Sequence, residues 1–333
     1  MFTTQSVIAM PSEPACAGPV VPVYFILLPG HLLLDFAGPA EALRIANQNG
    51  ARFTLHYCGP DPQAGNSLGL SLGGLVPLPE PVPDGAWLII PGLSSALANE
   101  NSPASKVAVA WLARVYRAEL QLITICSAAL LAAAAGLLPG RRCTTHHSLI
   151  GRLRALAPTA RIEDDRIFSI DGNIASSAGI TTGIDLTLEL ISRTAGPRVA
   201  LEVAREMVVW LRRDGGSSQH SPYLDHRNHL HPAVHRAQDA IAAAPERRWR
   251  MEELAEVACV SPRHLARLFK QHAGLAPNDY CQQMQLAYAE PLLARTDWSL
   301  ERVAEAAGFG SARDLRRVWL RQRGLALRRA ELG

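Results

Sequence analysis

MEELAEVACVSPRHLARLFKQHAG, residues 251–274, decides how the C-terminal part of the chain folds. Its apolar residues recur at helical spacing on both sides of a short interruption at Cys259 and Val260. Ser261 followed by Pro262 is typical of the start of a second helix, because serine caps free amides and proline needs no amide partner in a first turn. The spacing predicts a helix-turn-helix, a motif whose second helix fits the major groove of DNA.

The second helix of this motif has a polar and basic face opposite its leucines and its phenylalanine. We predict that five residues on or beside this face bind DNA: Ser261, Arg263, His264, Arg267 and Lys270. An arginine that donates two hydrogen bonds to guanine discriminates between bases, whereas a contact with phosphate strengthens binding to every sequence.

The same pattern occurs again in VAEAAGFGSARDLRRVWLRQRG, residues 303–324, where the interruption is one residue longer, through Gly308-Phe309-Gly310. A repeat of this kind indicates one structural unit used twice. We therefore expect two helix-turn-helix motifs, at about 251–272 and about 300–323. The predicted DNA-binding residues of the second motif are Ser311, Arg313, Arg316 and Arg317.

With both copies in place, residues 232–329 resemble the AraC/XylS class of bacterial transcription regulators. The resemblance implies an all-α domain that binds double-stranded DNA, with a long helix at about 279–293 between the two motifs. Pro291 lies within that helix and removes one backbone hydrogen bond. We expect a bend there, and therefore a smaller contribution from the second motif than from the first. Three other residues depart from those usual in the class: Gln285, Leu327 and Ala330.

Composition and charge limit the number of domains, the cellular compartment and the possibility of a membrane span. The chain has 333 residues, of which 48% are hydrophobic, and a net charge of +3, which fits two or three domains with sizeable cores. The excess of basic residues lies between Asp214 and Gly333. Six cysteines without a CxxC pair favour a reduced, cytoplasmic protein. The uncharged stretch Leu122–Leu138 reaches only the lower length limit of a membrane span, and its polar interruptions favour a buried strand followed by a helix.

The N-terminal part alternates apolar runs with helical patterns. Val20–Leu28 and Ala86–Ile90 predict strands buried on both faces, and Pro39–Asn47 predicts a helix. Another strand is expected at Leu120–Ile125, and Asp171-Gly172 predicts a two-residue hairpin. The alternation indicates a flavodoxin-like α/β domain, a mostly parallel sheet with helices on both faces.

Cys126 stands between a predicted strand and a predicted helix, which is the layout of a nucleophile elbow. A helix N-terminus would stabilise the thiolate form of such a cysteine. The same pattern also fits a buried free cysteine in an alanine-rich packing stretch. The residues alone leave both interpretations open.

Five stretches resemble, in their order, the PfpI-like domain of the glutamine-amidotransferase superfamily, and more closely the version fused upstream of AraC-type domains. They are GHLLLDFAGPAEAL (30–43), IIPGL (89–93), ICSAALLAAAAGLLPGRRCTTHH (125–147), DGNIASSAGITTGIDLTLELI (171–191) and WLRRDGG (210–216). The resemblance implies a ligand-sensing domain at 20–213, a linker at 214–231 and the DNA-binding domain at 232–329.

The same resemblance implies four ligand-binding residues. They are Cys126 at the elbow, His146 at the superfamily histidine, Asp35 as the acidic residue that touches the cysteine, and Gly92 in the loop whose amide faces the elbow. Thr124 and Ala128 stand where enzyme relatives often have glycine, and His147 stands where the fused regulators usually have tryptophan. No carboxylate clearly follows His146 to orient its ring, so we assign no catalytic residue.

The expected function is therefore a DNA-binding transcription regulator that responds to a small metabolite. Relatives imply an amino acid or a quaternary amine as the effector, and we also expect a homodimer, with RNA polymerase as a further partner. The alternative is a cysteine-dependent amidase or hydrolase joined to a DNA-binding domain, which requires Cys126 and His146 within hydrogen-bond reach.

We expect neither a cofactor nor a metal. The histidines between His220 and His235 are irregularly spaced and follow a glycine–serine run, which is more typical of a polar linker than of a metal site. Three tryptophans are expected in the core instead of in an aromatic cage for a quaternary amine: Trp87, Trp111 and Trp210.

Overall fold

The computed structural model describes residues 20–94, 99–209, 213, 215–219, 223, 225–324 and 326–327. The chain divides into two compact units after Gln219. The first unit is an α/β fold built on a mostly parallel sheet, and the second is all-α. The predicted fold class is thereby confirmed.

A six-stranded sheet forms the centre of the first unit. The strands in the described residues are β1 Val21–Ile26, β2 Phe53–Cys58, β3 Gln63–Gly65, β4 Ser71–Gly73, β5 Trp87–Ile90, β6 Gln121–Ile125, β7 Arg142–Cys143, β8 Arg161–Ile162, β9 Phe168–Asp171 and β10 Ile174–Ser177. The sheet order is β2-β1-β5-β6-β10-β9, and the neighbours are parallel except for the edge pair β10–β9. The carboxyl ends of the five parallel strands therefore meet at one edge, where α/β folds place their sites.

Helices cover both faces of this sheet. They are α1 Leu33–Gln48, α2 Pro103–Val115, α3 Ala129–Ala134, α4 Ile150–Leu156, α5 Thr182–Ala195 and α6 Pro197–Glu206. Trp87 and Ile89 of β5 belong to the core cluster shared with α1, α5 and α6, whereas Leu88 and Ile90 belong to the cluster shared with α2, α3 and α4. Successive strand residues point to opposite faces, so a strand between two helical layers must be apolar throughout.

Two local predictions differ from the structure. Helix α1 begins at Leu33, six residues before the predicted start, and Pro39 lies inside it. The earlier start brings Asp35 into the first turn of α1, where the residue is fully buried. The predicted hairpin is present, but its turn is Gly172-Asn173, because Asp171 still pairs with Ile174 in the ladder.

The second unit contains two successive helix-turn-helix pairs. Its helices are α7 Pro232–Ala243, α8 Met251–Ala258, α9 Pro262–His272, α10 Pro277–Arg295, α11 Leu300–Ala306 and α12 Ala312–Arg323. The pairs are α8–α9 and α11–α12, and the long α10 lies between them in sequence and continues as a helix through Pro291. After α8 the chain turns at Cys259 with φ 55°, and after α11 it turns at Gly308 with φ 77°. Both turns thus use the left-handed conformation that favours glycine.

Two residues of the segment predicted as a polar linker, 214–231, make hydrogen bonds to the units on either side of it. Gln219 Nε2 donates to the carbonyl oxygen of Thr145 at 2.9 Å, within the first unit. His226 Nδ1 lies 2.8 Å from the carbonyl oxygen of Ala273, within the second unit. Polar side chains of this segment thus bind backbone carbonyl groups of the units that flank it.

Several other sequence expectations have a definite outcome. Trp87 and Trp111 are buried in the core, while Trp210 and Ala330 lie outside the described residues. Leu122–Leu138 is a buried strand followed by helical turns, as predicted. Among the helices in the described ranges, none is long and apolar enough to cross a membrane.

Candidate ligand pocket and DNA-binding surface

The chain makes a sharp turn at Cys126, at the carboxyl end of β6. Cys126 has φ 57° and opens a single 3-10 turn, Cys126–Ala128, that leads into α3. Thr145 Oγ1 donates to the Cys126 carbonyl oxygen at 2.8 Å. Gly179, with φ 103°, packs directly against the turn, since a Cβ built on it would lie 2.3 Å from the Cys126 Cβ. A side chain at position 179 would therefore displace the elbow.

Asp35 connects the loops around this elbow. Its Oδ2 accepts a hydrogen bond from the Gly92 amide at 3.1 Å, and its Oδ1 accepts one from the Ile180 amide at 2.7 Å. A Cβ on Gly92 would lie 2.6 Å from Asp35 Oδ2 and 2.7 Å from Cys126 Cβ, so the three residues are in close contact. The Gly92 amide, expected to face the elbow, is directed at the Asp35 carboxylate.

Burial sets the protonation of both buried groups. It raises the pKa of Asp35 from 3.8 to about 6, against the opposing effect of the two amides. Burial also raises the pKa of the Cys126 thiol to about 12, and the negative charge of Asp35 adds to this effect. The Ser127 amide lowers the pKa of this thiol by a smaller amount, so the protonated form, a weak nucleophile, is favoured at neutral pH.

A cavity of about 270 Å³ lies beside Cys126. Six of its fourteen lining residues are apolar and branched: Leu32, Leu93, Leu130, Leu131, Leu149 and Ile180. The polar part of the lining is Ser94, Asn99, Glu100, Cys126, Ser127, His146, Ser148 and Arg152. Apolar side chains together with polar groups that converge on one cavity are typical of a small-molecule site.

The structure brings the four predicted ligand-binding residues together in two layers. Cys126 and His146 line the cavity, and His146 Nδ1 lies 2.8 Å from the Ser148 hydroxyl. Asp35 and Gly92 are buried against Cys126, as their contacts above show. Within the described ranges, no group of three or more His, Cys, Asp or Glu side chains could hold a metal ion.

Sequence reasoning missed several residues of this site. Ser127 fixes the loop after β5, because its hydroxyl accepts from the Leu93 amide at 2.6 Å and donates to the Leu93 carbonyl at 3.0 Å. Glu100 and Arg152 form an ion pair at the cavity wall. Gly179 lies in a stretch that carries the family resemblance and could have been found there. The ion pair joins distant parts of the sequence and has no local signal.

The first recognition helix, α9, presents its basic residues to solvent. The Ser261 hydroxyl accepts the His264 amide at 3.3 Å, which makes it the N-cap as predicted. Arg263, Arg267 and Lys270 are exposed, and His264 is half-buried. On the opposite face, three side chains are buried in the core of the unit: Leu265, Leu268 and Phe269.

The corresponding helix α12 has the same organisation with one difference in charge. The Ser311 hydroxyl caps it by accepting the Asp314 amide at 3.2 Å. Arg313, Arg316 and Arg317 are exposed. Arg317 forms an ion pair with Asp314 on the same helix. The acidic partner offsets part of the positive charge on this surface.

The turn of the second motif is held by residues that lie outside it. Arg248 Nε donates to the Gly308 carbonyl at 2.8 Å, and Gln285 Nε2 donates to the same oxygen at 3.1 Å. Arg248 also donates to the Phe309 carbonyl. A Cβ on Gly308 would lie 1.9 Å from the Glu246 carbonyl oxygen, so the contact is close. The segment that leads into α8 therefore packs on the turn between α11 and α12.

The fold, the cavity and the two basic helices together are those of a two-domain regulator. The chain belongs to the DJ-1/PfpI family, which matches residues 22–193, and it carries an AraC-type helix-turn-helix domain that matches residues 254–330. The predicted family resemblance is confirmed for both parts.

Individual relatives share both parts. The chain is 30% identical to the HTH-type transcriptional regulator CdhR of Pseudomonas aeruginosa, over 86% of this chain and 84% of that protein. It is 28% identical to the HTH-type transcriptional regulator GbdR of the same species, over 86% and 77%. A solved THiJ/PfpI family protein from Pseudomonas syringae matches with a TM-score of 0.51 at 18% identity, over 75% of this chain and 98% of that one, and shows a shared fold alone. The chain is a DNA-binding transcription regulator, as predicted, and not the alternative hydrolase.

Proposed function

We propose that the DJ-1/PfpI unit binds a small nitrogen-containing metabolite and thereby controls how the helix-turn-helix unit binds an operator. The cavity of about 270 Å³ beside the protonated Cys126 carries this proposal. Its volume suits a small metabolite, and its lining combines six apolar side chains with polar ones that can fix the orientation of a ligand. An amino acid or a quaternary amine is the effector class implied by the resemblance.

In this proposal the four predicted ligand-binding residues have two different roles. Cys126 and His146 line the cavity and contact the effector. Asp35 and Gly92 hold the elbow in place through the hydrogen bond between them. A protonated thiol serves as a neutral wall of the pocket, so the site binds the effector and does not form an acyl intermediate.

The DNA-binding part rests on two capped helices with exposed basic residues. In α9 the proposed contacts come from Ser261, Arg263, His264, Arg267 and Lys270. In α12 they come from Ser311, Arg313, Arg316 and Arg317. First-turn amides that the capping serine does not bind can be directed at phosphate, and arginines reach base edges or phosphates.

We propose one function for each of three segments of the chain. We assign effector binding to residues 20–213, a linker to 214–231 and DNA binding to 232–329. A homodimer would place four helix-turn-helix motifs on one operator, and RNA polymerase is the further partner of a regulator that activates. The cytoplasm is the proposed location because the operator DNA is there.

DNA affinity of the full chain tests this function. Operator fragments selected from a random-sequence library would be titrated with wild type and with the double variant Arg263→Ala, Arg267→Ala at several salt concentrations. Each lost phosphate contact reduces the salt slope by about one, and each lost base contact costs about 1–3 kcal/mol of discrimination. Arg193→Ala, on the exposed side of α5, is the matched control and should bind as wild type does. Unchanged affinity and salt slope in the double variant would refute the assignment.

A further inference from the structure

Two loops of the first unit carry residues that line the cavity. In the loop after β7, Thr145 directly precedes the lining residue His146. In the loop after β10, Thr181 directly follows the lining residue Ile180. A planar, rigid peptide unit joins each lining residue to its threonine, so a displacement of the first also moves the second.

Gln219 binds the loop after β7, and it is the last residue of the first unit. Its Nε2 donates to the carbonyl oxygen of Thr145 at 2.9 Å. The Thr145 hydroxyl in turn donates to the carbonyl oxygen of Cys126 at 2.8 Å. Hydrogen bonds therefore connect the elbow beside the cavity, through Thr145, with the residue at which the chain leaves the unit.

Arg213 binds the loop after β10. Its Nη2 donates to the Thr181 hydroxyl at 3.0 Å and to Asp185 Oδ2 at 2.6 Å, and its Nε donates to the same carboxylate oxygen at 3.1 Å. Only 5% of the Asp185 side chain is exposed. Charge-assisted hydrogen bonds to a buried carboxylate are strong and fix the guanidinium in one orientation. The loop after β10 is therefore joined to the end of the unit as well.

The segment 215–219 is also bound to the loop after β10 through a shared neighbour. The Ile167 amide donates to the carbonyl oxygen of Ser217 at 3.0 Å. The carbonyl oxygen of Ile167 accepts the amide of Ala178, in the loop, at 2.8 Å. One residue thus holds the segment with its amide and the loop with its carbonyl group.

The loop after β10 is strained where it reaches the cavity. Ile180 has φ 52°, a left-handed conformation that is unfavourable for a β-branched residue. Asp35 Oδ1 holds this conformation by accepting the Ile180 amide at 2.7 Å. Strained backbone of this kind occurs at ligand clamps and switch regions. Ile180 is 46% exposed and lines the cavity, so a molecule that enters can contact it and move the loop.

We propose that Arg213 and Gln219 are positioning residues through which an effector in the cavity controls the chain that leads into the DNA-binding unit. An effector that contacts the two lining residues moves the two threonines beside them. The hydrogen bonds that hold the chain up to residue 219 then change, directly before the second unit begins. This assignment rests on the proposed function, since it names the route by which the same cavity acts on DNA binding.

The coupling between effector and operator in the full chain tests the assignment. The probes are amino acids and N-trimethylated amino acids, and the compound that raises the Tm of wild type most is used. Operator DNA is titrated with and without this probe, and the ratio of the two Kd values measures the coupling. Gln219→Ala removes the hydrogen bond to Thr145. Ser218→Ala is the matched control, because the Ser218 hydroxyl donates at 2.7 Å to Asp165, an exposed residue outside both loops.

We expect the probe to change the operator Kd by at least about fivefold in wild type and in Ser218→Ala, the lower end of usual allosteric coupling. In Gln219→Ala the ratio should fall below about twofold. The Tm shift that the probe causes and the operator Kd without probe should both stay close to those of wild type. A merely structural role of Gln219 would instead weaken both kinds of binding together.

Hydrogen exchange is a second measurement that uses wild type alone, so it decides the matter even if Gln219→Ala folds poorly. The probe should slow amide exchange in both cavity loops, 144–146 and 178–181, because a bound ligand reduces local opening. It should also slow exchange in residues 215–219.

Three results would overturn the assignment: equal Kd ratios in Gln219→Ala and wild type, a joint loss of probe and operator binding in that variant, or unchanged exchange at 215–219 while both loops are slowed. In each case wild type still responds to the probe, so the proposed function stands. The proposed function itself fails on different results, namely no Tm response to any probe or a Kd ratio of one in wild type.

Discussion

Asp35 shows how one buried side chain organises a site. Its two oxygens accept amides from the loops after β5 and after β10, and both loops lie beside Cys126. Burial makes the ionised form of the Asp35 carboxyl unfavourable and raises its pKa to about 6, although the two hydrogen bonds oppose this change. The elbow is therefore held by a group whose charge changes close to neutral pH.

A pH-dependent stability follows from this pKa. The folded chain holds the Asp35 proton more tightly than the unfolded chain does, so this group's contribution to stability is complete below about pH 4 and is lost as pH rises through about 6. The difference between 3.8 and about 6 is worth about 3 kcal/mol. Asparagine does not titrate, so the Asp35→Asn variant should lack this pH-dependent contribution. We therefore expect the free energy of unfolding of the variant, relative to that of wild type, to rise by up to about 3 kcal/mol from pH 4 to pH 7.5. Urea unfolding of the full chain measures it.

The control for this pH dependence is Asp61→Asn, a substitution of an exposed aspartate. Its stability should follow that of wild type at each pH. Parallel curves for wild type and Asp35→Asn would show that the Asp35 carboxyl does not titrate in this range.

Gly179 gives a second prediction at the scale of single residues. Gly179→Ala places a Cβ 2.3 Å from the Cys126 Cβ at a backbone φ of 103°. Overpacking and backbone strain together predict a loss of about 2–5 kcal/mol. Gly151→Ala, inside α4 with nothing within 4 Å of the added Cβ, should instead stabilise by up to about 1 kcal/mol. Calorimetric Tm values for the two variants should move in opposite directions, and similar small shifts would contradict the packing argument.

Cys126 itself is expected to be dispensable for signalling. Cys126→Ser should keep the fold and most of the transcriptional response in a reporter assay, because the protonated thiol only lines the pocket. In wild type, alkylation at pH 8 should modify the exposed Cys259 faster than Cys126, as peptide mass spectrometry would show. A covalent adduct on Cys126 together with turnover of a small amide would contradict this interpretation.

At the scale of elements, the sequence predicts a helix boundary well where neighbouring residues alone determine it. Capping serines at 261 and 311, followed by helical spacing of apolar residues, mark where α9 and α12 begin. The start of α1 is predicted poorly, because Pro39 resembles a first-turn proline but lies inside a helix that packs on the core from Leu33 onward. The pair of Glu100 and Arg152 is not predictable, since only the fold brings the two side chains together.

The second motif is held in place by more than the long helix α10. Arg248 and Gln285 bind the turn at Gly308, so a change there should alter how the two motifs are presented to DNA. We expect Arg248→Ala to weaken binding to a complete operator by about 1.5–3 kcal/mol, because it removes hydrogen bonds from a charged group to the Gly308 and Phe309 carbonyls. Binding to a half-site for α9 should change little. Arg247→Ala is the neighbouring control, and equal losses on both DNA fragments would contradict a role in spacing the motifs.

At the scale of the whole molecule, one unit provides a cavity and the other provides two basic helices. The charge pattern makes the helices unequal, since Arg317 of α12 is paired with Asp314 whereas the exposed arginines of α9 lie on a helix without acidic residues. Pro291 in α10 adds a reason for inequality, because the missing hydrogen bond favours a bend between the two motifs. The first motif is therefore expected to dominate operator binding.

Footprinting of the full chain on its operator tests this account most directly. Successive major grooves on one face of DNA are about 34 Å apart, so each motif would protect a separate groove. We predict strong protection of one groove that Arg263→Ala abolishes, with weaker protection of the next groove that Arg316→Ala removes at little cost in affinity. Equal protection of two adjacent grooves, with Arg316→Ala as damaging as Arg263→Ala, would contradict the dominance of the first motif. The absence of any protected site would contradict the account as a whole.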